Sequence, residues 1–270
     1  MFKEIPDELW EKFEPILEPL KRTKSGGSNP LPFRTILNGI FYFLKTGCQW
    51  DMIPRCYGSK STIHEHFQRW AAAGVFDKIF RICLEEYEEY KEIAWQWQSM
   101  DGSLIQAPAR QKGGTSASEE FLGRNPTDRG RSGTKIHLIV DQNGIPLGVE
   151  ASGANIHDSR LVGSTIDSMP VEPKLSPQIS PNLSLDKGYD FKRVEIEVKE
   201  RGYQPHIRRI GEEKFNADQE KKYPARRYVV ERTFAWLKGF RTLRTRYICK
   251  GINFLAMLKL ACAIVVFRAL

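Results

Sequence analysis

The chain has 270 residues, of which 41% are hydrophobic and 27% charged, a balance typical of a globular protein with a sizeable core. Residues 1–8 contain acids where a signal peptide needs an apolar segment, and the apolar run over residues 254–267 is too short to cross a bilayer. The five cysteines are scattered and lack Cys-x-x-Cys spacing, which indicates a reducing compartment rather than a disulfide framework. We therefore expect a cytoplasmic protein that does not enter a membrane.

Positive charge is concentrated in one segment of the sequence. The net charge is +8, and residues 221–250 contain ten basic side chains but a single acid, Glu231. Such a focused patch favours contacts with phosphate groups, whereas a solvated helix face is the structural alternative. Five residues of this segment are candidate phosphate-binding groups: Arg227, Lys238, Arg241, Arg244 and Arg246.

The first 92 residues have the apolar periodicity of helices. Helical spacing predicts segments over residues 9–20, 36–44, 62–73 and 76–87. Gly47 and Gly74 are placed to end the second and third segments, and Thr62 with Glu65 has the spacing of a capping box at the start of the third. We expect an all-helical domain over residues 1–92.

A helix, a short turn over residues 50–58 and a capped helix are compatible with a helix-turn-helix that recognises DNA. The capped helix offers four polar side chains that could contact bases: Lys60, His64, Gln68 and Arg69. A plain helical bundle is the alternative that the same periodicity allows.

Residues 93–270 alternate between strand and helix patterns. Strands are predicted over residues 97–105, 135–140, 145–151, 182–185 and 203–207, with Asn143-Gly144 as a hairpin turn. Helices are predicted from Asn155 to about residue 169, from Asp190 to residue 202, and over residues 224–239 and 252–268. This order predicts an α/β domain, a mixed sheet with flanking helices.

Three acids occupy positions suited to a metal site. Asp101 lies late in the first predicted strand, and Asp186 follows the end of an apolar strand, each with a glycine close by. Glu231 shares a helical stripe with Arg227 and Lys238. Taken singly, the two aspartates are ordinary turn or cap residues, and Glu231 could pair with its basic neighbours. Together, three carboxylates offer the hard oxygen ligands that two Mg²⁺ ions require.

At this point the sequence resembles a known family, the DDE transposases of small bacterial insertion sequences, close to the group named after insertion sequence 5. The resemblance covers nearly the whole length. The matching blocks are residues 37–40, 46–50, 101–103, 134–137, 155–158, 186–190 and 227–238. The last block, which contains Val230-Glu231-Arg232-Thr233-Phe234-Ala235-Trp236-Leu237, is the most specific.

The resemblance implies an RNase H-like catalytic domain over residues 93–270, with Asp101, Asp186 and Glu231 as a triad that binds two Mg²⁺ or Mn²⁺ ions. It also implies a tyrosine–arginine–glutamate–lysine signature, which Arg227, Glu231 and Lys238 fit while Pro224 stands at the tyrosine position. His157 and Asp158 match a family block, in a catalytic or a capping role.

The implied activity is cleavage of transposon ends followed by transfer of the freed 3′-hydroxyl to target DNA. The implied partners are the terminal inverted repeats and target DNA, bound by a homodimer. Two alternatives keep part of this assignment: a domesticated nuclease that cuts without inserting, and a DNA-binding regulator whose second domain is catalytically dead.

Overall fold

The structure is a computed structural model that describes residues 4–21, 30–108, 120–126, 128–175, 179–207 and 227–270. Its N-terminal part is helical, as the sequence predicts. The helices there are α1 (Asp7–Leu17), α2 (Phe33–Thr46), α3 (Lys60–Ala72) and α4 (Val75–Tyr90). Each turns an apolar stripe inward, and the largest of these buried side chains include Phe13, Phe41, Phe67, Trp70 and Phe76.

Two details of this helical part differ from the sequence prediction. The cap of α3 is Ser59, whose hydroxyl accepts from the backbone N–H of Thr62 at 3.2 Å, so Thr62 is not the capping residue. The connection between α2 and α3 is also longer than a helix-turn-helix allows, because it contains two 3₁₀ turns, Trp50–Met52 and Arg55–Tyr57. The predicted helices are confirmed. The described residues 47–59, between α2 and α3, do not form the tight turn of a helix-turn-helix.

A six-stranded mixed sheet follows, built from β1 (Trp97–Gln106), β2 (Gly123–Arg124), β3 (Ser132–Asp141), β4 (Pro146–Gly153), β5 (Asn182–Leu185) and β6 (Gln204–Ile207). β1 lies between β3, with which it is antiparallel, and β5, with which it is parallel; β6 extends the sheet beside β5. β2 and β4 both pair with the outer edge of β3. This order, with β1 central, confirms the expected RNase H-like mixed sheet.

Helices pack on both faces of the sheet. They are α5 (Val162–Asp167), α6 (Lys192–Glu200), α7 (Arg227–Lys238) and α8 (Gly251–Phe267). α5 and α6 pack together, with α5 against β3 and β4, while α7 packs on β1 and β3. The predicted helix starts at Asn155 and Asp190 are wrong, because α5 begins after a 3₁₀ turn at Asp158–Arg160 and α6 begins after Phe191. The predicted start of α7 at residues 224–226 lies outside the described residues.

The most buried helix, α8, joins the two parts of the chain. It packs against α3 and α4 on one side and against β4 and α7 on the other, and most of its residues are buried. Among the described residues, no helix is both long and apolar enough to cross a membrane. The boundary at residue 92 stays a prediction, since the buried side chains of the helical part and of the sheet form one continuous core.

Gly47, at the end of α2, lies in close contact with residues 241–242 of the basic segment. Its φ of +63° is left-handed, and a Cβ added there would lie 3.0 Å from the backbone carbonyl carbon of Arg241. Nearby, the Thr242 hydroxyl donates to the carbonyl oxygen of Phe43 at 2.6 Å. The α2 terminus is therefore pressed directly against the segment that follows α7.

We predict that Gly47→Ala destabilises the protein more than Gly202→Ala. Gly202 also has a left-handed φ, +81°, but a Cβ there meets no atom within 4 Å. Gly202→Ala should therefore cost only the conformational strain, about 1–2 kcal/mol, whereas Gly47→Ala adds a clash worth on the order of 1–3 kcal/mol. Chemical denaturation of both variants measures the difference, and equal losses would show that the close approach is relaxed in solution.

Candidate active site

The parallel pairing of β1 with β5 places two of the predicted carboxylates side by side. Ser99 of β1 lies opposite Ser184 of β5, and this register, extended by two residues beyond the last paired position, would make Asp101 the neighbour of Asp186. Paired positions on neighbouring strands share a face of the sheet and lie about 4.8 Å apart. We therefore expect the two carboxylates to share one face of the sheet, where β5 ends.

Local hydrogen bonds orient both side chains. An oxygen of Asp101 accepts from the backbone N–H of Gly102 at 2.8 Å. An oxygen of Asp186 accepts from the backbone N–H of Gly188 at 2.7 Å and so begins the 3₁₀ turn Lys187–Tyr189. The glycines that stood near both acids in the sequence thus supply backbone donors to them.

Glu231 is exposed on α7, the helix that crosses the same face of the sheet. Lys238 lies two turns further along this helix, and its ammonium donates to the hydroxyl of Ser103 at 2.8 Å. Ser103 follows Asp101 by two residues and therefore shares its face of β1. At a rise of 1.5 Å per residue, Glu231 lies about 10 Å from Lys238 along the α7 axis. Lys238, the last member of the stripe predicted from the sequence, therefore contacts the strand that bears Asp101.

The donor set fits a hard divalent cation. Magnesium binds through one or two carboxylates and keeps several waters, and Asp101 with Asp186 supplies such a pair. Within the part of the chain that the structure describes, no three His, Cys, Asp or Glu side chains lie close enough together to hold one ion. The pair therefore suits a metal, while convergence of Glu231 with it stays a prediction.

A second group of polar residues supports the backbone beside Asp101 from the other face of the sheet. A Cβ added at Gly102 would lie 2.9 Å from Oδ1 of Asp158. Nζ of Lys135 lies 3.0 Å from the same oxygen and donates to the carbonyl of Ile156 at 2.8 Å. Lys135 has no predicted role, whereas Asp158, predicted to act in catalysis or as a cap, contacts Lys135 beneath Gly102.

His137, which pairs with Gly102 across β1 and β3, completes this group. Its Nε2 lies 2.8 Å from the Ser152 hydroxyl, and its Nδ1 lies 3.9 Å from Asp158. Burial lowers the pKa of His137 to about 4, opposed by the charge of Asp158 and assisted by that of Lys135. The buried imidazole is therefore neutral at pH 7.

The four residues proposed for base contacts lie on α3, but another part of the chain reaches them. Lys60 and Arg69 are exposed, whereas His64 and Gln68 are partly buried, with their side chains 3.1 Å apart. Lys250 donates to the side-chain oxygen of Gln68 at 3.0 Å. Its charge also contributes, after burial, to the lowered pKa of His64. A lysine from the basic segment thus belongs to the same surface.

The predicted phosphate-binding residues separate into exposed and buried groups. Lys238, Arg241 and Arg244 are exposed, and Nε of Arg244 donates to the carbonyl oxygen of Lys238 at 2.8 Å. Arg227 begins α7, but its side chain lies outside the described residues. The exposed group remains available for phosphate contacts.

The phosphate-binding role predicted for Arg246 is wrong, because the residue is buried. Only 3% of the residue is exposed, because its guanidinium donates to the Thr134 hydroxyl at 2.6 Å and to the Glu120 carbonyl at 2.8 Å. It also lies over the ring of Phe254, 5.0 Å from the centroid. Arg246 therefore joins β3 to the C-terminal helix instead of facing DNA.

Comparisons with known proteins agree with this architecture. The profile of the family described as transposase DDE domain matches residues 98–266, and that of the putative transposase of IS4/5 family matches residues 5–80. A putative transposase for insertion sequence element IS402 from Burkholderia cepacia is 36% identical over 154 residues, or 55% of this chain and 69% of that protein. The IS402 uncharacterized 16.2 kDa protein is 36% identical over 107 residues, or 38% of this chain and 73% of that protein.

Two solved structures are also similar. The piggyBac transposase synaptic complex with hairpin DNA gives a TM-score of 0.44 at 10% identity, covering 99% of this chain and 73% of that chain. The catalytic domain of Mos1 mariner transposase gives a TM-score of 0.29 at 10% identity, covering 72% of this chain and 91% of that chain.

A central strand flanked by an antiparallel and a parallel partner, with helices on both faces of the sheet, defines an RNase H-like domain. Because the DDE-domain profile covers more than half of its residues, the chain belongs to the DDE transposase family. Its reaction is the metal-dependent cleavage and transfer of DNA strands, as the sequence predicts.

We predict that replacing His137 with Gln reduces the acid sensitivity of the protein. The folded-state pKa of about 4 lies below the ordinary 6.5, so the unfolded chain binds a proton that the folded chain rejects as pH falls from about 6.5 to 4. Wild type should therefore lose about 2 kcal/mol more stability than the variant between pH 7 and pH 5. Urea denaturation at both pH values tests this, and parallel losses would contradict it.

Proposed function

We propose that Asp101, Asp186 and Glu231 are the ligands of two Mg²⁺ or Mn²⁺ ions and form the catalytic centre of this transposase. The register that makes Asp101 the neighbour of Asp186 is the observation that carries the proposal. The hydrogen bond from Lys238 to Ser103 supports the third member, because it joins the helix that bears Glu231 to the strand that bears Asp101. When bound, such ions activate the attacking oxygen and stabilise the leaving oxygen.

The proposed reaction has two displacements at phosphorus. In the first, water attacks the phosphodiester at a transposon end, the P–O3′ bond breaks and a 3′-hydroxyl is freed. In the second, that hydroxyl attacks target DNA, forms a new P–O bond and expels the target 3′-oxygen. Each displacement proceeds in line, so the chain must hold the phosphate and the attacking oxygen in one orientation.

The basic residues near α7 are suited to hold that phosphate. A cleft of about 630 Å³ between β1 and the end of α7 is lined by Leu104, Gln106, Ala235, Lys238, Gly239 and Arg244. The two cations of this cleft are Lys238 and Arg244. Its two β1 residues, Leu104 and Gln106, follow Asp101 by three and five residues. We assign Lys238 to the phosphate near the cut and Arg241 with Arg244 to flanking phosphates.

The DNA partners in this proposal are the terminal inverted repeats and the target. The α3 surface, with Lys60, His64, Gln68 and Arg69, would read the repeats, and Lys250 supports this by contributing a cation beside Gln68. We further propose that two copies act together on two ends, in the cytoplasm, as the family resemblance implies.

We predict that Asp101→Asn, Asp186→Asn and Glu231→Gln each abolish DNA nicking in Mg²⁺ or Mn²⁺ while DNA binding is retained. Each change removes a ligating charge and preserves side-chain size. The control is Glu89→Gln, an exposed acid on α4, which should nick at the wild-type rate. Gel shift and nicking assays on the same preparations measure both properties, and normal nicking by any one triad variant removes that residue from the site.

A strand-transfer assay separates the transposase from the two alternatives. Wild type should join a pre-cut 3′-hydroxyl end to plasmid DNA. A nuclease that has lost insertion would nick but not join, and a catalytically dead regulator would bind DNA without either reaction.

We predict that Lys238→Ala lowers the single-turnover cleavage rate of saturated complexes, whereas Arg244→Ala leaves this rate nearly unchanged. Lys238 contacts Ser103 beside the proposed centre, while Arg244 is bound to the end of α7. Each variant should lower the salt slope of DNA binding by about one unit, since each removes one phosphate contact. Equal rates in both variants would assign Lys238 to general electrostatic binding only.

A further inference from the structure

A second cleft lies near the end of β5, outside the proposed catalytic centre. Its volume is about 620 Å³, and it is lined by His157, Ser159, Arg160, Phe191 and Arg193. We call it the Phe191 cleft. The ring of Phe191 is 46% exposed, and His157 meets it edge-on with a centroid distance of 5.5 Å. A large aromatic ring thus faces solvent between two arginines.

The walls of the Phe191 cleft are held in place by hydrogen bonds. The guanidinium of Arg193 donates to the carbonyl and the hydroxyl of Ser159 at 3.1 and 3.0 Å. Nδ1 of His157 accepts from the backbone N–H of Ser159 at 3.4 Å and so begins the 3₁₀ turn Asp158–Arg160. Arg193 also lies 3.7 Å from Glu197, and Arg160, which lines the same cleft, is exposed.

A short rigid turn connects the Phe191 cleft to the proposed centre. Asp186 caps the turn Lys187–Tyr189, and the backbone N–H of Phe191 donates to the carbonyl of Tyr189 at 2.8 Å. Tyr189 is only 1% exposed and anchors the turn in the core. At about 2 Å per residue in such a turn, Phe191 lies on the order of 10 Å from Asp186, which corresponds to about three nucleotides of one strand.

We propose that the Phe191 cleft binds the single DNA strand that leaves the catalytic centre, with a base against the ring of Phe191 and phosphates at Arg160 and Arg193. This inference rests on the proposed function of Asp186. Exposed aromatic rings beside cations are the chemistry that binds unpaired nucleotides without sequence preference. The cations Lys187 and Lys192, both exposed, extend the positive charge along the path from Asp186.

The test compares two probes in EDTA, a 30-base-pair duplex of arbitrary sequence and the same duplex with a single-stranded tail of six thymidines. Fluorescence anisotropy gives the affinity gain that the tail provides. We expect a gain of about tenfold in wild type, because stacking of a base on an aromatic side chain contributes about 1–3 kcal/mol. Phe191→Ala should remove most of this gain, and Phe191→Tyr should keep it.

Arginine variants and a control complete the test. Arg160→Ala should lower the salt slope for the tailed probe by about 0.7 and leave that for the blunt duplex unchanged. Arg81→Ala, an exposed arginine on α4, should behave as wild type with both probes. The inference is overturned if wild type gains nothing from the tail or if Phe191→Ala keeps the full gain. Because no cleavage is measured, this outcome is independent of the triad variants, which test the proposed centre alone.

Discussion

The parallel pairing of β1 with β5 is the contact on which the arrangement of the proposed catalytic centre depends. These strands are 75 residues or more apart in the sequence, and β2, the β3–β4 hairpin and α5 lie between them in the described part of the chain. Since side chains alternate along a strand, a shift of one residue in this register would turn one carboxylate to the opposite face. The buried residues Leu183 and Leu185 resist such a shift, because it would expose them to solvent.

Positive charge in the C-terminal segment serves two physical purposes. The guanidinium of Arg246 donates to the hydroxyl of Thr134 and to the backbone carbonyls of Glu120 and Cys249. These uncharged oxygens stabilise its positive charge inside the protein. Lys238 and Arg244 remain at the surface, where phosphate groups can approach them. A net charge counted along the sequence adds these groups together, although only the exposed ones contribute to the field that attracts DNA.

Local patterns predicted most of the fold. The hairpin at Gly144, which has a φ of +84°, and the buried α8 follow from turn chemistry and apolar runs. Features set by distant contacts could not be predicted, such as the burial of Arg246 against Thr134, 112 residues away. The α3 cap was misplaced because Ser59 and Thr62 both have a polar partner three residues on, and only the backbone path decides between them. The sequence predicts Asp101, Asp186 and Glu231 as one set of metal ligands. Their spacing along the chain does not give the distances between them in the folded protein.

The position of α8 within the core has a consequence for biosynthesis. The apolar faces of α3 and α4 are covered in part by residues 251–267, which the ribosome adds long after residue 90 has emerged. At 5–20 residues per second, this delay is roughly ten to thirty seconds. Throughout that interval the nascent helices present uncovered apolar surface, which is the kind of segment that chaperones bind. Synthesis of this protein should therefore be more sensitive to chaperone supply than that of a chain whose N-terminal helices complete their own core.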